Sequence, residues 1–130
     1  EIGSLDYREK APLAATKDMF LDDKGNVIKG KSTESPLAIG VPGTIAGVFA
    51  VHEKLGSLPI EEILKPVIEL AERGVIVTKK QEDRLTAYRA KIIKVNGDKT
   101  LFATAFKEND VIKYPALAAT LKRISKNGRN

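Results

Sequence analysis

Leu37-Ala38-Ile39-Gly40-Val41-Pro42-Gly43-Thr44-Ile45-Ala46-Gly47 runs from a short apolar segment, through a Pro-Gly turn, into a helix. The length of the apolar run and its Gly/Pro boundary predict a buried strand over 37–41. Beyond the turn, Ile45, Val48, Phe49 and His52 fall on one helical face, and Gly56 stands where a left-handed C-terminal cap is wanted. On the N-terminal side, Leu5-Asp6-Tyr7-Arg8 alternates in character and predicts a second strand within residues 2–9. Pro12 and the alanines after it open a short helical stretch with Ala15, Met19 and Phe20 on one side. Asp22-Asp23-Lys24-Gly25-Asn26 reads as a turn, since Asp, Gly and Asn supply local hydrogen bonds and positive φ. Residues 29–36 are polar and read as a mobile surface loop.

Downstream the pattern is helical. Pro59 opens a helix at the position where its missing N–H costs nothing. Ile60, Ile63, Leu64, Val67, Leu70 and Ala71 form its apolar stripe; Pro66 inside the stripe should bend it or break its ladder locally, and Gly74 stops it. Thr78-Lys79-Lys80-Gln81 matches a capping box. The helix it starts runs through Leu85, Tyr88 and Ile92 and stops before Asn96-Gly97-Asp98. After an irregular stretch around Phe102 and Phe106, Asp110-Val111-Ile112-Lys113-Tyr114 leads to Pro115, and a last helix should bury Leu117, Leu121 and Ile124 and end near Gly128. The whole reads as α+β and mostly helical. Its two expected strands have no partners within the chain, and since isolated strands are marginal, a sheet elsewhere is implied.

Composition narrows the function classes. The 130 residues fit one domain, and 42% hydrophobic with 30% charged residues is a globular balance. No apolar run approaches the length needed to cross a bilayer. The chain starts with Glu1 rather than Met, so it is expected to lack any signal or transit segment of a longer precursor. A net charge of +5 could suggest nucleic acid, but Lys and Arg interleave with Glu and Asp, as in Glu61-Glu62-Ile63-Leu64-Lys65, which marks solvated helix faces. Aromatic residues are 5%, too few for a stacking platform, so no nucleic-acid partner is expected. Cysteine is absent, which excludes disulfides and thiolate metal sites.

A self-contained active site is not visible. His52 is the one histidine, so two-histidine metal sites are excluded, and on an apolar helix face it reads as a packed residue. Gly40-Val41-Pro42-Gly43 lacks both the dinucleotide fingerprint and the P-loop lysine and reads as a tight turn. Residues 22–26 lack the glycine and glutamate spacing of a calcium loop. No metal or cofactor is expected. Asp6-Tyr7-Arg8-Glu9-Lys10-Ala11-Pro12 differs, because it places Arg8 at a strand end, where ligand-contacting groups are commonly presented. A guanidinium matches a carboxylate bidentately and stays charged. On spacing alone, a salt bridge of Arg8 to Glu9 or Asp6 is the competing reading.

The same segment resembles the Arg-Glu-x-Ala-Pro motif of gamma-glutamyltransferases, also called gamma-glutamyl transpeptidases or glutathione hydrolases. Gly40-Val41-Pro42-Gly43-Thr44-Ile45-Ala46-Gly47 is similar to the family's Pro-Gly-Thr-x-Ala-Gly turn. Ala15-Thr16-Lys17-Asp18-Met19-Phe20-Leu21-Asp22, Gly56-Ser57-Leu58-Pro59 and Leu70-Ala71-Glu72-Arg73-Gly74 follow in the family's order. The likeness covers nearly the whole chain.

The resemblance implies that residues 1–130 are one partial large-subunit segment of the αββα sandwich of N-terminal-nucleophile hydrolases. It implies that Arg8 binds the α-carboxylate of the γ-glutamyl group, whereas Gly43 and Gly47 are structural. The family's nucleophile is a threonine freed at the N-terminus of the small subunit, whose hydroxyl forms an acyl-enzyme. Thr16, Thr44 and Thr78 cannot replace it, because each nitrogen is in a peptide bond. The resemblance therefore implies glutathione and other γ-glutamyl compounds as ligands, the small subunit as partner in a heterodimer, a periplasmic or extracellular location, and an inactive segment when alone. Two alternatives stand beside it: a non-catalytic helical interaction domain on the same scaffold, and an acylase relative with another amide substrate.

Overall fold

Proline, glycine and hydroxyl residues set where each helix of this chain begins and ends. The computed structural model describes residues 3–129. They form two compact units, one running up to Gly56 and joined by Arg129, the other spanning Ser57–Gly128.

The second unit carries most of the regular structure. Helix α3 (Ile60–Arg73) starts directly after Pro59, which acts as its cap rather than its first residue. Two N–H groups, of Glu62 and Ile63, turn back onto the Pro59 carbonyl. Pro66 sits inside α3 without ending it, although it has no N–H to give to Glu62. Gly74 ends the helix at φ 91°, a backbone that side-chain-bearing residues rarely adopt. Strand β1 (Val75–Ile76) follows, then α4 (Lys79–Asn96). The expected capping box at its start is present: the Thr78 hydroxyl accepts from Gln81 N at 3.3 Å, and Gln81 Oε1 accepts from Thr78 N at 2.8 Å. Gly97 ends α4 at φ 80°.

A one-turn 3₁₀ segment (Leu101–Ala103) leads to β2 (Val111–Ile112) and α5 (Pro115–Asn127). β1 and β2 pair antiparallel, Val75 with Ile112 and Ile76 with Val111. α3 lies against α5, and Ala71, Val77, Ile112, Ala118 and Leu121 are the buried residues of the unit. Leu117, expected inside, is exposed; the face of α5 that meets α3 is set by Ala118 and Leu121 instead. The α3 stripe is only partly covered, with Ile63, Val67 and Leu70 still exposed and Ala71 alone buried.

The first unit is built on turns. Residues 3–9 form no regular strand, and Lys10 makes a single antiparallel bridge with Val41; Ile2 lies outside the described residues. The expected strand over 37–41 is likewise replaced. Pro36–Ala38 is a 3₁₀ turn, because the Ser35 hydroxyl accepts from Leu37 N at 3.2 Å and Pro36 sets the first φ. Leu37, Ile39 and Val41 are exposed. The stretch after Pro12 is a series of turns rather than a helix, with Ala15 N on Pro12 O and Met19 N on Thr16 O.

Asp22 organises the next turn as expected, its Oδ1 accepting from Lys24 N at 2.9 Å and Asn26 N at 2.8 Å while Leu21 bridges Val27. The Asn26 backbone N–H, then its side-chain amide, hold the Asp22 carboxyl below its ordinary value. Residues 31–34 form a short helix, α1 (Lys31–Glu34), where a loop was expected. α2 (Thr44–Leu55) follows the Pro42-Gly43 turn and buries Gly47 and Phe49. Gly56 ends α2 at φ −70°, an extended conformation rather than the left-handed cap expected there. No described helix is long and apolar enough to cross a membrane.

Candidate functional site

Within the first unit a cleft of about 430 Å³ opens between residues 5–9 on one wall and residues 42–44 on the other. The second wall is the N-terminal turn of α2, for which Gly43 is the N-cap, with no side chain capping it. The first intrahelical bond is Gly47 N to Gly43 O at 2.9 Å, so the N–H groups of Thr44, Ile45 and Ala46 precede the ladder. This end of a helix carries partial positive charge.

Arg8 lies on the opposite wall, with its side chain 83% exposed. Its Nε donates to both Glu9 carboxylate oxygens at 3.2 Å, and its backbone N–H donates to Asp6 Oδ1 at 3.1 Å. The salt bridge to Glu9 is formed, and Arg8 also lines the cleft. Among the described residues its two Nη nitrogens make no hydrogen bond, which leaves the end of the guanidinium, with four N–H groups, as a fork of donors. An exposed ion pair of this kind contributes about 0.2–1 kcal/mol, too little to hold the group against a bidentate ligand.

The glycines of the facing turn set how closely the two walls approach. A Cβ on Gly43 would stand 3.0 Å from Arg8 O and overlap Tyr7 O. A Cβ on Gly47 would stand 2.5 Å from Tyr7 Cβ and overlap the ring carbon Cγ. Glycine inside a helix is worse than alanine by about 0.8–1 kcal/mol, so a packing demand of this kind explains its use at 47. The sequence singles out Arg8, which lines the cleft, but gives no direct sign of Tyr7 as its neighbour in the wall. The available signal was the recurrence of glycine at 40, 43 and 47, in and beside the Pro42-Gly43 turn.

The other sequence candidates lie elsewhere. His52 is half-buried on α2, packed against Gly56, and does not line the cleft. Thr44 lines it, but its nitrogen is in a peptide bond. Among the described residues no group of three or more His, Cys, Asp or Glu could hold a metal ion. The second unit has its own hollow of about 330 Å³, lined by Lys80, Gln81 and Arg84 together with Leu85, Phe102, Ile112 and Tyr114.

A family model described as gamma-glutamyltranspeptidase matches residues 1–130. The chain is 42% identical over 127 residues to a glutathione hydrolase proenzyme of Pseudomonas aeruginosa, covering 95% of this chain and 22% of that protein. It is 37% identical over 129 residues to a glutathione hydrolase proenzyme of Escherichia coli, covering 96% and 22%. Its structure is similar to that of Helicobacter pylori gamma-glutamyltranspeptidase, with a TM-score of 0.88 at 39% identity over 95% of this chain and 36% of that one. The chain therefore spans about a fifth of the length of the curated relatives it matches.

Proposed function

The chain belongs to the gamma-glutamyltranspeptidase family, and from that premise we propose that it is a large-subunit segment of an enzyme acting on γ-glutamyl compounds. The enzyme transfers the γ-glutamyl group of glutathione and related molecules to water or to amino-acid acceptors. Arg8 grips the substrate's α-carboxylate. The observation that carries this reading is an arginine with a free donor fork, held at the rim of a cleft whose other wall is a helix N-terminus. Both features favour a small anionic group.

The bond-breaking group comes from another part of the protein. In this reading a threonine at the N-terminus of the small subunit attacks the γ-carbonyl, its own amine accepting the proton. The acyl-enzyme forms as the amine half of the substrate leaves, and water or an acceptor amine then takes the acyl group. Backbone N–H donors stabilise the oxyanion. Arg8 does not touch the reacting carbonyl; it holds the far end of the glutamyl group, so its contribution is to substrate binding. The two-unit segment contributes to the αββα sandwich of a heterodimer, located in the periplasm or outside the cell. No metal or cofactor enters this chemistry.

The test is replacement of Arg8 in the complete polypeptide. Arg8→Ala should raise KM strongly, because a charged contact broken in a closed pocket costs about 2–4 kcal/mol. Arg8→Lys should recover part of the loss, since an ammonium supplies charge without the fork. Unchanged kinetics in Arg8→Ala would remove Arg8 from the site.

A further inference from the structure

Gly40 and Gly43 of one turn, and Gly47 in the first turn of α2, meet one short segment around Arg8. A Cβ on Gly40 would lie 2.8 Å from Glu9 Cγ and 3.0 Å from Glu9 Cβ. Gly43 faces the carbonyls of Tyr7 and Arg8, and Gly47 faces the Tyr7 ring. Immediately beyond, Lys10 N donates to Val41 O at 3.1 Å and Val41 N to Lys10 O at 2.7 Å. Tyr7 and Glu9 therefore meet this glycine surface with their side chains, while Arg8 between them meets it through its carbonyl oxygen and keeps its side chain exposed.

We infer that Gly47, with Gly43, is a positioning residue for Arg8: the glycine surface seats Tyr7 and so fixes where the neighbouring guanidinium stands. The inference rests on the reading of Arg8 as the carboxylate-binding group. Gly47 has no side chain to offer a ligand, and it is buried. Its effect passes through the Tyr7 Cβ and ring, which a methyl at 47 would push outward. That displacement moves the peptide carrying Arg8 relative to the cleft. A bidentate charged contact needs both donors in place, so such a shift weakens the grip on a carboxylate.

Helix propensity alone makes the opposite forecast. Alanine is the better helix former, so Gly47→Ala would be harmless or stabilising if the position served only α2. Gly25 supplies a control: its φ is +81°, and a Cβ there meets nothing within 4 Å, so Gly25→Ala strains a turn of the same unit without touching the segment around Arg8.

The experiment measures steady-state kinetics of the complete polypeptide with a chromogenic γ-glutamyl anilide. Gly47→Ala is expected to raise KM by about tenfold or more while kcat stays within about threefold, the signature of lost substrate binding rather than lost chemistry. Gly25→Ala is expected to leave KM unchanged. Tyr7→Ala should raise KM as Gly47→Ala does, and Tyr7→Phe should restore most of the loss, because the contacts run through Cβ, Cγ and Cδ1 rather than the hydroxyl. A wild-type KM in Gly47→Ala, or equal rises in Gly47→Ala and Gly25→Ala, overturns the inference. If Gly47→Ala does not fold, the tyrosine pair decides, and equal KM values for Tyr7→Ala and Tyr7→Phe overturn it. Arg8→Ala, run alongside, separates the two readings. A raised KM there with none in Gly47→Ala removes only the positioning role, whereas no effect of Arg8→Ala removes both.

Discussion

Gly74 and Gly97 end α3 and α4 with nearly the same backbone, φ 91° and ψ 173° against φ 80° and ψ 175°. Replacing either with alanine imposes the same conformational strain, about 1–3 kcal/mol for a side chain forced into this region. The surroundings differ. A Cβ at Gly97 meets nothing within 4 Å, whereas one at Gly74 would stand 2.6 Å from Val111 Cγ1 and 2.7 Å from Ile112 O. The second contact is backbone of β2, which cannot yield without disturbing its pairing with β1. Overpacking of this kind adds about 1–3 kcal/mol. Gly74→Ala should therefore cost about 1–3 kcal/mol more than Gly97→Ala, lowering protection about 5- to 150-fold further at the slowest-exchanging amides of the second unit. Hydrogen exchange followed by NMR or mass spectrometry reads this directly. Equal losses of protection in the two variants would refute the steric argument and leave backbone strain as the whole effect.

Other consequences can be checked separately. Thr78→Ala should destabilise the start of α4 by about 1 kcal/mol, and Thr78→Ser should retain most of the cap, as measured by denaturant unfolding. The Asp22 carboxyl is held below its ordinary value, so its contribution to the turn is complete above that ordinary value and is lost as pH falls through the lower folded one. A carboxyl NMR titration should show that depression. Asn26→Ala should reverse it only in part, because the backbone N–H at 26, the larger cause, remains.

The parts of the fold legible in the sequence are those fixed by local chemistry. The Thr78–Gln81 box, the stops at Gly74 and Gly97, and the Asp22–Asn26 turn each depend on groups within a few residues. What failed was pairing at a distance. Leu37 to Val41 has strand composition, yet Ser35 and Pro36 turn its start into a 3₁₀ segment and only Val41 finds a partner. Val75–Ile76 and Val111–Ile112 are too short to show alternation, so their pairing left no sign in the pattern. At the candidate site, the motif at Asp6–Pro12 picked out Arg8, and the family resemblance is borne out by the match over residues 1–130. The seat beneath Tyr7 was not legible, because close approach of a glycine to a ring forms only after the turn has folded.

The central claim concerns one contact between Arg8 and a carboxylate, and a substrate pair tests it most directly. Kinetics of wild type and Arg8→Ala would be compared on a γ-glutamyl donor and on its α-carboxamide analogue. Wild type should lose about 30- to 1,000-fold in kcat/KM on the carboxamide, corresponding to about 2–4 kcal/mol, while Arg8→Ala, already lacking the contact, should lose less than about threefold. Equal losses in the two proteins would show that another group receives the carboxylate.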